Sequence, residues 1–175
     1  HTRRKNLLLR DLDELVNQQL AKMLFANPQR IDYYDRYQEI IDAYNAEQNR
    51  ATIEKTFMDL MELASSLDTE QQRYVREGFS SDEELSVYDL LFSENLTKQE
   101  IETIKKVSVD LLTKIKQQIA KLDHWTDKQE TKAIVDNLIR NTLWQELPNS
   151  YDVSDIQTYQ KKIYEYVYMR YPEVA

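Results

Sequence analysis

The single glycine of the chain, Gly78, is the feature that most constrains the fold. Glycine and proline form most tight turns, and a sheet needs a tight turn between most of its strands. This sequence of 175 residues has one glycine and three prolines. No stretch alternates polar and apolar residues long enough to predict a strand. The expected fold class is therefore all-α, an irregular antiparallel bundle of about six to eight helices with no sheet.

Apolar residues recur at intervals of three and four along most of the chain, which is the spacing of one helix face. Helices are predicted over about residues 2–26, 33–47, 50–77, 98–122, 127–146 and 155–170, with another just after Gly78. Asn27-Pro28 ends the first helix, because proline disfavours the helical conformation in the residue before it. The third helix could split at residues 65–68. Its two methionines, Met58 and Met61, are interpreted as filling gaps in the core.

Capping explains the acidic stretch that follows Gly78. Glycine takes a positive φ without strain and so suits the position just past a helix end. Ser80 with Glu83, or Ser81 with Glu84, forms a capping box for the next helix. Acidic residues in a first turn also suit the positive end of the helix dipole. Later helices are predicted to begin at similar caps, which are Thr97, Thr126 and Ser154. Trp125 is predicted to lie in the turn before the helix that Thr126 caps.

The length fits a single helical domain over residues 1–175. The chain starts at His1, and its first methionine is Met23. We therefore expect a fragment of a longer chain, with His1 left from a tag and the start of the first helix serving as a linker from a preceding domain. No apolar run approaches the ~20 residues that span a membrane. The chain has no cysteine, which is consistent with a cytoplasmic location.

The net charge of −8 is unevenly distributed. Residues 1–30 carry 6 basic and 3 acidic side chains, whereas residues 31–93 carry 5 basic and 15 acidic ones. A nucleic-acid module normally shows a dominant basic face. The acidic middle should repel phosphate, so it is expected to face water or a basic protein surface.

Motifs of catalytic or cofactor sites are not supported by their context. A phosphate-binding loop needs several glycines. Asp82-Glu83-Glu84-Leu85 is similar to a helicase acidic box, and Glu130-Thr131-Lys132 to a nuclease motif, but both begin predicted helices rather than follow strands. His124 is isolated, and no thiolate is available for zinc. We predict no catalytic, cofactor-binding or metal-binding residue in this chain.

Two groups of residues are candidates for binding. Tyrosines are frequent at protein interfaces, and Tyr164, Tyr168 and Tyr171 fall on one face of the last helix. They either finish the core or dock a partner. The second group comprises basic residues that could contact DNA: Arg3, Arg4, Lys5 and Arg10, with Lys105, Lys106, Lys114, Lys116 and Lys121.

The order and spacing of short motifs give the chain a family likeness over nearly its whole length. The motifs are Asn27-Pro28 with Tyr37, Ile40-Ile41 and Tyr44-Asn45; Glu77-Gly78-Phe79 with Glu83-Glu84-Leu85 and Tyr88-Asp89-Leu90-Leu91; Trp125 with Lys132-Ala133 and Ile134-Val135; and Leu147-Pro148, Tyr151-Asp152 and Tyr164-Glu165-Tyr166-Val167-Tyr168. Together they resemble the C-terminal helical region of the restriction (R) subunit of type I restriction–modification enzymes.

The resemblance implies a role in assembly. The R subunit is an ATP-dependent DNA translocase and endonuclease, so ATP and Mg²⁺ are implied for the parent and no cofactor for this fragment. The implied partners are the methyltransferase (modification) and specificity subunits and the motor domains of the same chain, with DNA reached only through the full complex. The resemblance also implies that this chain is a C-terminal fragment of its parent, with residues 1–26 as a connecting helix from a preceding motor domain. None of the family's catalytic motifs lies in the matched region. The alternatives are a DNA-contacting helical module and an unrelated self-associating helical regulator.

Overall fold

A computed structural model describes residues 2–174, of which Thr2 and Arg3 are described by their backbone alone. The predicted origin of His1 therefore lies outside the described residues. The helices are α1 (Thr2–Ala26), a 3₁₀ turn (Pro28–Arg30), α2 (Ile31–Ala46), α3 (Arg50–Gln71), α4 (Arg73–Arg76), α5 (Asp82–Leu91), α6 (Lys98–Ala120), α7 (Gln129–Glu146) and α8 (Val153–Arg170). Over these residues the chain is all-α and has no strand, as the sequence predicts.

The chain divides into two compact units, the first ending at Gly78 and the second beginning at Phe79. The N-terminal unit contains α1 to α4, and the C-terminal unit contains α5 to α8. Each unit has its own set of buried apolar residues. A single domain over residues 1–175 stays a prediction.

In the N-terminal unit, α1 and α3 run parallel to each other. Lys5 contacts Glu54 at 2.9 Å and Gln19 contacts Asp68 at 3.0 Å, both with the same offset of 49 residues. The intervening α2 is antiparallel to α3, because Arg36 lies near Glu62 and the preceding Arg30 near Glu70. Buried side chains of the three helices form the core: Val16, Leu20, Met23, Tyr37, Ile40, Leu60, Leu63 and Leu67.

A buried ion cluster joins the start of α2 to the end of α3. The Arg30 guanidinium donates to Glu70 at 2.9 Å, and the Arg73 guanidinium donates to the same carboxylate at 2.8 Å. Arg30 and Glu70 are both buried. Burial alone would raise the pKa of Glu70, but the hydrogen bonds from Arg73 and Arg30 outweigh it and hold that pKa below its usual value.

The predicted split of the third helix at residues 65–68 is wrong, because α3 continues through them to Gln71. The hydroxyls of Ser66 and Thr69 donate to carbonyls four residues back, a contact that a continuous helix accommodates. The helix instead ends before Gln72, whose N–H bonds to the Thr69 carbonyl three residues back.

The methionines of α3 do not fill the core, so that interpretation is also wrong. Met58 is 70% exposed and Met61 is 53% exposed. The core-facing positions of this part of α3 are taken instead by Leu60 and Leu63, both fully buried. The apolar stripe of α3 is thus wider than the surface that α1 and α2 cover.

The C-terminal unit packs α5 against α6, α6 against α7, α7 against α8, and α8 back against α5. Hydrogen bonds show that α5 and α8 are antiparallel: Tyr171 donates to Glu83 at the start of α5, and Tyr151 donates to the Leu91 carbonyl at its end. Fully buried leucine, isoleucine and valine side chains fill the space between the helices: Leu85, Leu111, Ile115, Ile139, Leu143, Ile163 and Val167.

Helix caps confirm the sequence interpretation around Gly78. Gly78 has a φ of +86°, the left-handed conformation expected after a helix end. The Ser81 hydroxyl accepts from the N–H of Glu84 at 3.2 Å and caps α5. The Glu84 carboxylate accepts from the N–H of Ser80, one residue before the cap, so the predicted capping box of Ser81 and Glu84 forms only in part. Thr97 and Glu100 form the predicted capping box of α6.

The two remaining predicted caps are wrong. α7 begins at Gln129 without a side-chain cap, because Thr126 lies in a turn in which the N–H of Asp127 bonds to the His124 carbonyl. α8 is capped by Asp152 and Asp155 rather than by Ser154. Asp152 precedes Ser154 and is an equally good acceptor, so α8 starts earlier.

Candidate functional site

The predicted docking tyrosines surround a buried tryptophan at the end of the C-terminal unit. Trp125 is fully buried, and Tyr164 and Tyr168 meet its ring edge-on at centroid distances of 6.0 and 5.7 Å. The indole N–H donates to the Tyr171 carbonyl at 2.7 Å. Much of this tyrosine face is therefore occupied by contacts within the unit. Tyr168 remains 38% exposed, beside the exposed Met169.

Tyr171 also takes part in a polar network that holds the start of α5. Its hydroxyl donates to Glu83 at 2.7 Å, and the Lys116 ammonium contacts the same carboxylate at 2.5 Å. Burial, the nearby Tyr166 and the bond to Glu83 all raise the pKa of Tyr171. Burial would raise the pKa of Glu83, but hydrogen bonds from Lys116 and Tyr171 lower it. These contacts hold the neutral phenol of Tyr171 beside the charged side chains of Glu83 and Lys116, so the network stabilises the fold.

Part of the predicted DNA-contact group is engaged in intramolecular contacts. Lys5 pairs with Glu54. Lys114 pairs with both Asp110 and Glu146, and Lys105 lies over the rings of Phe79 and Tyr88.

Other members of that group are open to solvent. Arg4, Arg10, Lys106 and Lys121 are exposed. The side chain of Arg3 lies outside the described residues. DNA contact by these residues stays a prediction.

Arg10 lines a mixed polar and apolar cleft among α1, α2 and α3, with a volume of about 640 Å³. Asp13 lies in the same cleft and accepts a 2.5 Å hydrogen bond from the hydroxyl of Tyr37. Burial and this bond raise the pKa of Tyr37. Leu60 and Thr56 also line the cleft.

The sequence interpretation also missed an apolar groove between the parallel helices α1 and α3. We call it the α1–α3 groove; it has a volume of about 400 Å³ and is lined by Lys5, Leu8, Ile53, Glu54, Phe57 and Met58. Further along the same helices, Leu15 is 65% exposed and Met61 is exposed as well. The signal was present in the sequence, because both helices carry more apolar positions than one buried face needs.

No group of three or more metal-binding side chains occurs among residues 2–174. Within the same residues, no helix is long and apolar enough to span a membrane.

Comparison with protein families assigns the chain to a class of protein. The family model described as "Type I restriction enzyme HindI endonuclease subunit-like, C-terminal" matches residues 1–171, and the chain belongs to this family. Comparison with curated proteins and with solved structures finds no match. The resemblance inferred from the sequence motifs is thereby confirmed.

Proposed function

We propose that this chain is a non-catalytic helical assembly domain, which joins the DNA translocase and endonuclease subunit of a type I restriction enzyme to its methyltransferase core. The observation that carries the proposal is the α1–α3 groove, in a chain whose family is a subunit of a type I enzyme. Contiguous exposed apolar surface of this kind marks protein interaction sites.

The proposed partners are the methyltransferase (modification) and specificity subunits, with the motor domains of the parent chain as neighbours. DNA is reached through the complete complex, in the cytoplasm. ATP and Mg²⁺ act in other parts of the parent. The residues of this chain supply contact surface and no step of the cleavage reaction.

Tyr168 and Met169 provide a smaller candidate contact on the C-terminal unit. Both are exposed, whereas the neighbouring Tyr164 and Tyr171 are mostly engaged by Trp125 and Glu83. Aromatic and methionine side chains are enriched in the centres of interfaces. This contact supports the same assembly function as the groove.

Co-expression tests the proposal. The tagged 175-residue chain should co-purify with the methyltransferase and specificity subunits of its own system as a complex of defined stoichiometry. The companion experiment removes residues 31–175 from the parent, which should then fail to assemble with that core. Absence of any complex with the tagged chain, combined with normal assembly of the shortened parent, would overturn the proposal.

A further inference from the structure

We propose that the α1–α3 groove binds an amphipathic α-helix of another subunit, antiparallel to α1 and α3 and carrying carboxylates near its C-terminal end. This inference rests on the proposed assembly function and assigns to it a surface and the chemistry of the partner.

The shape of the apolar surface fits a helix. Leu8 and Leu15 are seven residues apart on α1, so they lie on one face about 10 Å apart. Phe57, Met58 and Met61 supply the opposite side of the surface from α3, and all are exposed. A helix with apolar residues at intervals of three, four and seven would insert one row of side chains between these two sides. Methionine side chains adapt readily to such a partner.

The charge at one end of the groove indicates the partner's polarity. Lys5 and Arg50 both contact the same oxygen of Glu54, at 2.9 and 3.3 Å, so two cations share one carboxylate. Arg4, the residue before Lys5 on α1, is exposed. α3 starts at this end, capped by Asn49, and has no acidic residue in its first turn to offset the positive helix end.

A helix that lies in the groove therefore places its own negative C-terminal end beside these cations. Carboxylates in its last turn would pair with Arg4, Lys5 and Arg50. This orientation is antiparallel to α3. It is also the orientation that α2 adopts on another side of α3.

A second copy of the chain fits the groove less well. In a two-fold dimer the two copies run antiparallel, so the cationic end of one groove would face the far end of the other, where the charges of Lys22 and Asp68 cancel. That contact offers no charge complementarity, so a different partner with an acidic helix end is the better occupant.

The four methionines provide built-in reporters for a test by NMR with ¹³C-methyl-methionine labelling. Met58 and Met61 report on the groove, Met23 on the buried core, and Met169, 63% exposed, on the C-terminal unit. The probes are two stapled helical peptides with the same stripe of leucines. One carries three glutamates in its C-terminal turn, and the other carries them in its N-terminal turn.

The first peptide should shift the methyl signals of Met58 and Met61 and leave those of Met23 and Met169 in place. The second should bind at least threefold more weakly in low salt, and the difference should shrink as salt is added. Met58→Glu and Leu15→Glu should each weaken the first peptide at least tenfold, while the matched surface variant Met169→Glu should not. Equal binding of both peptides, or shifts at Met169 alone, would overturn the inference.

Two further measurements separate the remaining outcomes. Analytical ultracentrifugation that shows a dimer, lost in Met58→Glu, would identify a second copy as the occupant and overturn the inference. In the co-expression experiment, loss of the complex in Met58→Glu but not in Val153→Glu, a change at a valine of α8 that is 53% exposed and lies outside both proposed contacts, supports the groove. Equal capture of both variants would overturn the groove inference while leaving the assembly function intact, and failure of the unmodified chain to be captured would count against the assembly function itself.

Discussion

The indole N–H of Trp125 donates a 2.7 Å hydrogen bond to the main-chain carbonyl of Tyr171, 46 residues further along the chain. The bond ties the turn between α6 and α7 to the residue that ends α8. Since the indole is fully buried and two tyrosine rings pack edge-on against it, this contact closes one end of the C-terminal unit.

Replacement of this indole should therefore destabilise the unit. Trp125→Phe removes the donor, leaves the Tyr171 carbonyl without it and opens a cavity, at an expected cost of about 2–4 kcal/mol in the free energy of unfolding. Urea denaturation followed by far-UV circular dichroism measures the change. The control is Trp144→Phe, since Trp144 is 48% exposed and should change stability by no more than about 0.5 kcal/mol. Similar costs for both variants would contradict the assigned role of Trp125.

Substitution of Gly78 should destabilise the protein through backbone conformation alone. Its φ is +86°, and a Cβ added there meets no atom within 4 Å. Gly78→Ala is expected to cost about 1–2 kcal/mol through backbone strain. Gly78→Asn should cost less, because asparagine tolerates the left-handed region better. Thermal unfolding of the two variants checks this order, and an unchanged melting temperature for Gly78→Ala would show that the left-handed conformation is not maintained.

The buried carboxylate of Glu70 should make the N-terminal unit sensitive to acid. Glu70→Gln leaves Arg30 buried without its charged partner and should cost about 3–5 kcal/mol at pH 7. Because the folded-state pKa of Glu70 is lowered, the stability contributed by its ionised form is present above the unfolded-state pKa of about 4.3 and is lost as the pH falls through the lower, folded-state pKa. The difference in the free energy of unfolding between the unmodified protein and Glu70→Gln should therefore narrow in acid.

Urea unfolding at pH 7, 5 and 3 measures that difference for Glu70→Gln. The matched control is Glu62→Gln, which removes an exposed carboxylate 3.6 Å from Arg36 on the same pair of helices. It should change stability by about 0.5 kcal/mol or less. A difference for Glu70→Gln that stays constant across this pH range would argue against an ionised Glu70 in the fold.

The cap of α5 offers a comparison between adjacent serines. Ser81→Ala removes the hydroxyl that accepts from the N–H of Glu84 and should cost about 1 kcal/mol. Ser80→Ala should be nearly neutral, because Ser80 contributes its main-chain N–H, which alanine retains. Chemical denaturation of both variants tests the assignment; a larger effect at Ser80 would place the cap one residue earlier.

Sequence periodicity predicts the helices well but does not identify their neighbours. The 3–4 spacing of leucines in α1 marks a buried face, yet the parallel pairing with α3 depends on contacts 49 residues away, such as Lys5 with Glu54. The ion pair of Arg30 and Glu70 spans 40 residues and has no local pattern. Cap prediction fails at α8 because Asp152 and Ser154 compete for the same helix start, and only the packed structure selects Asp152. It fails at α7 because Thr126 lies in a turn before the helix, which begins without a side-chain cap.

The binding surfaces are harder to predict for a related reason. An apolar stripe indicates that side chains avoid water, but it does not show whether this chain or a partner covers them. Met58 and Leu15 match the helical repeat as well as Leu60 does, and only the packing of α1 on α3 leaves them exposed. The tyrosines of α8 show the opposite case, since Tyr164 packs against Trp125 within the unit.

The parallel pairing of α1 and α3 also affects how the protein is made. α1 is synthesised first, but the residues that cover its apolar face lie about fifty positions later, on the far side of α2. At a translation rate of about 5–20 residues per second, that face stays uncovered for roughly 3–10 s until α3 has been synthesised. During this interval the leucines of α1 form an exposed hydrophobic segment on the nascent chain, of the kind that chaperones bind.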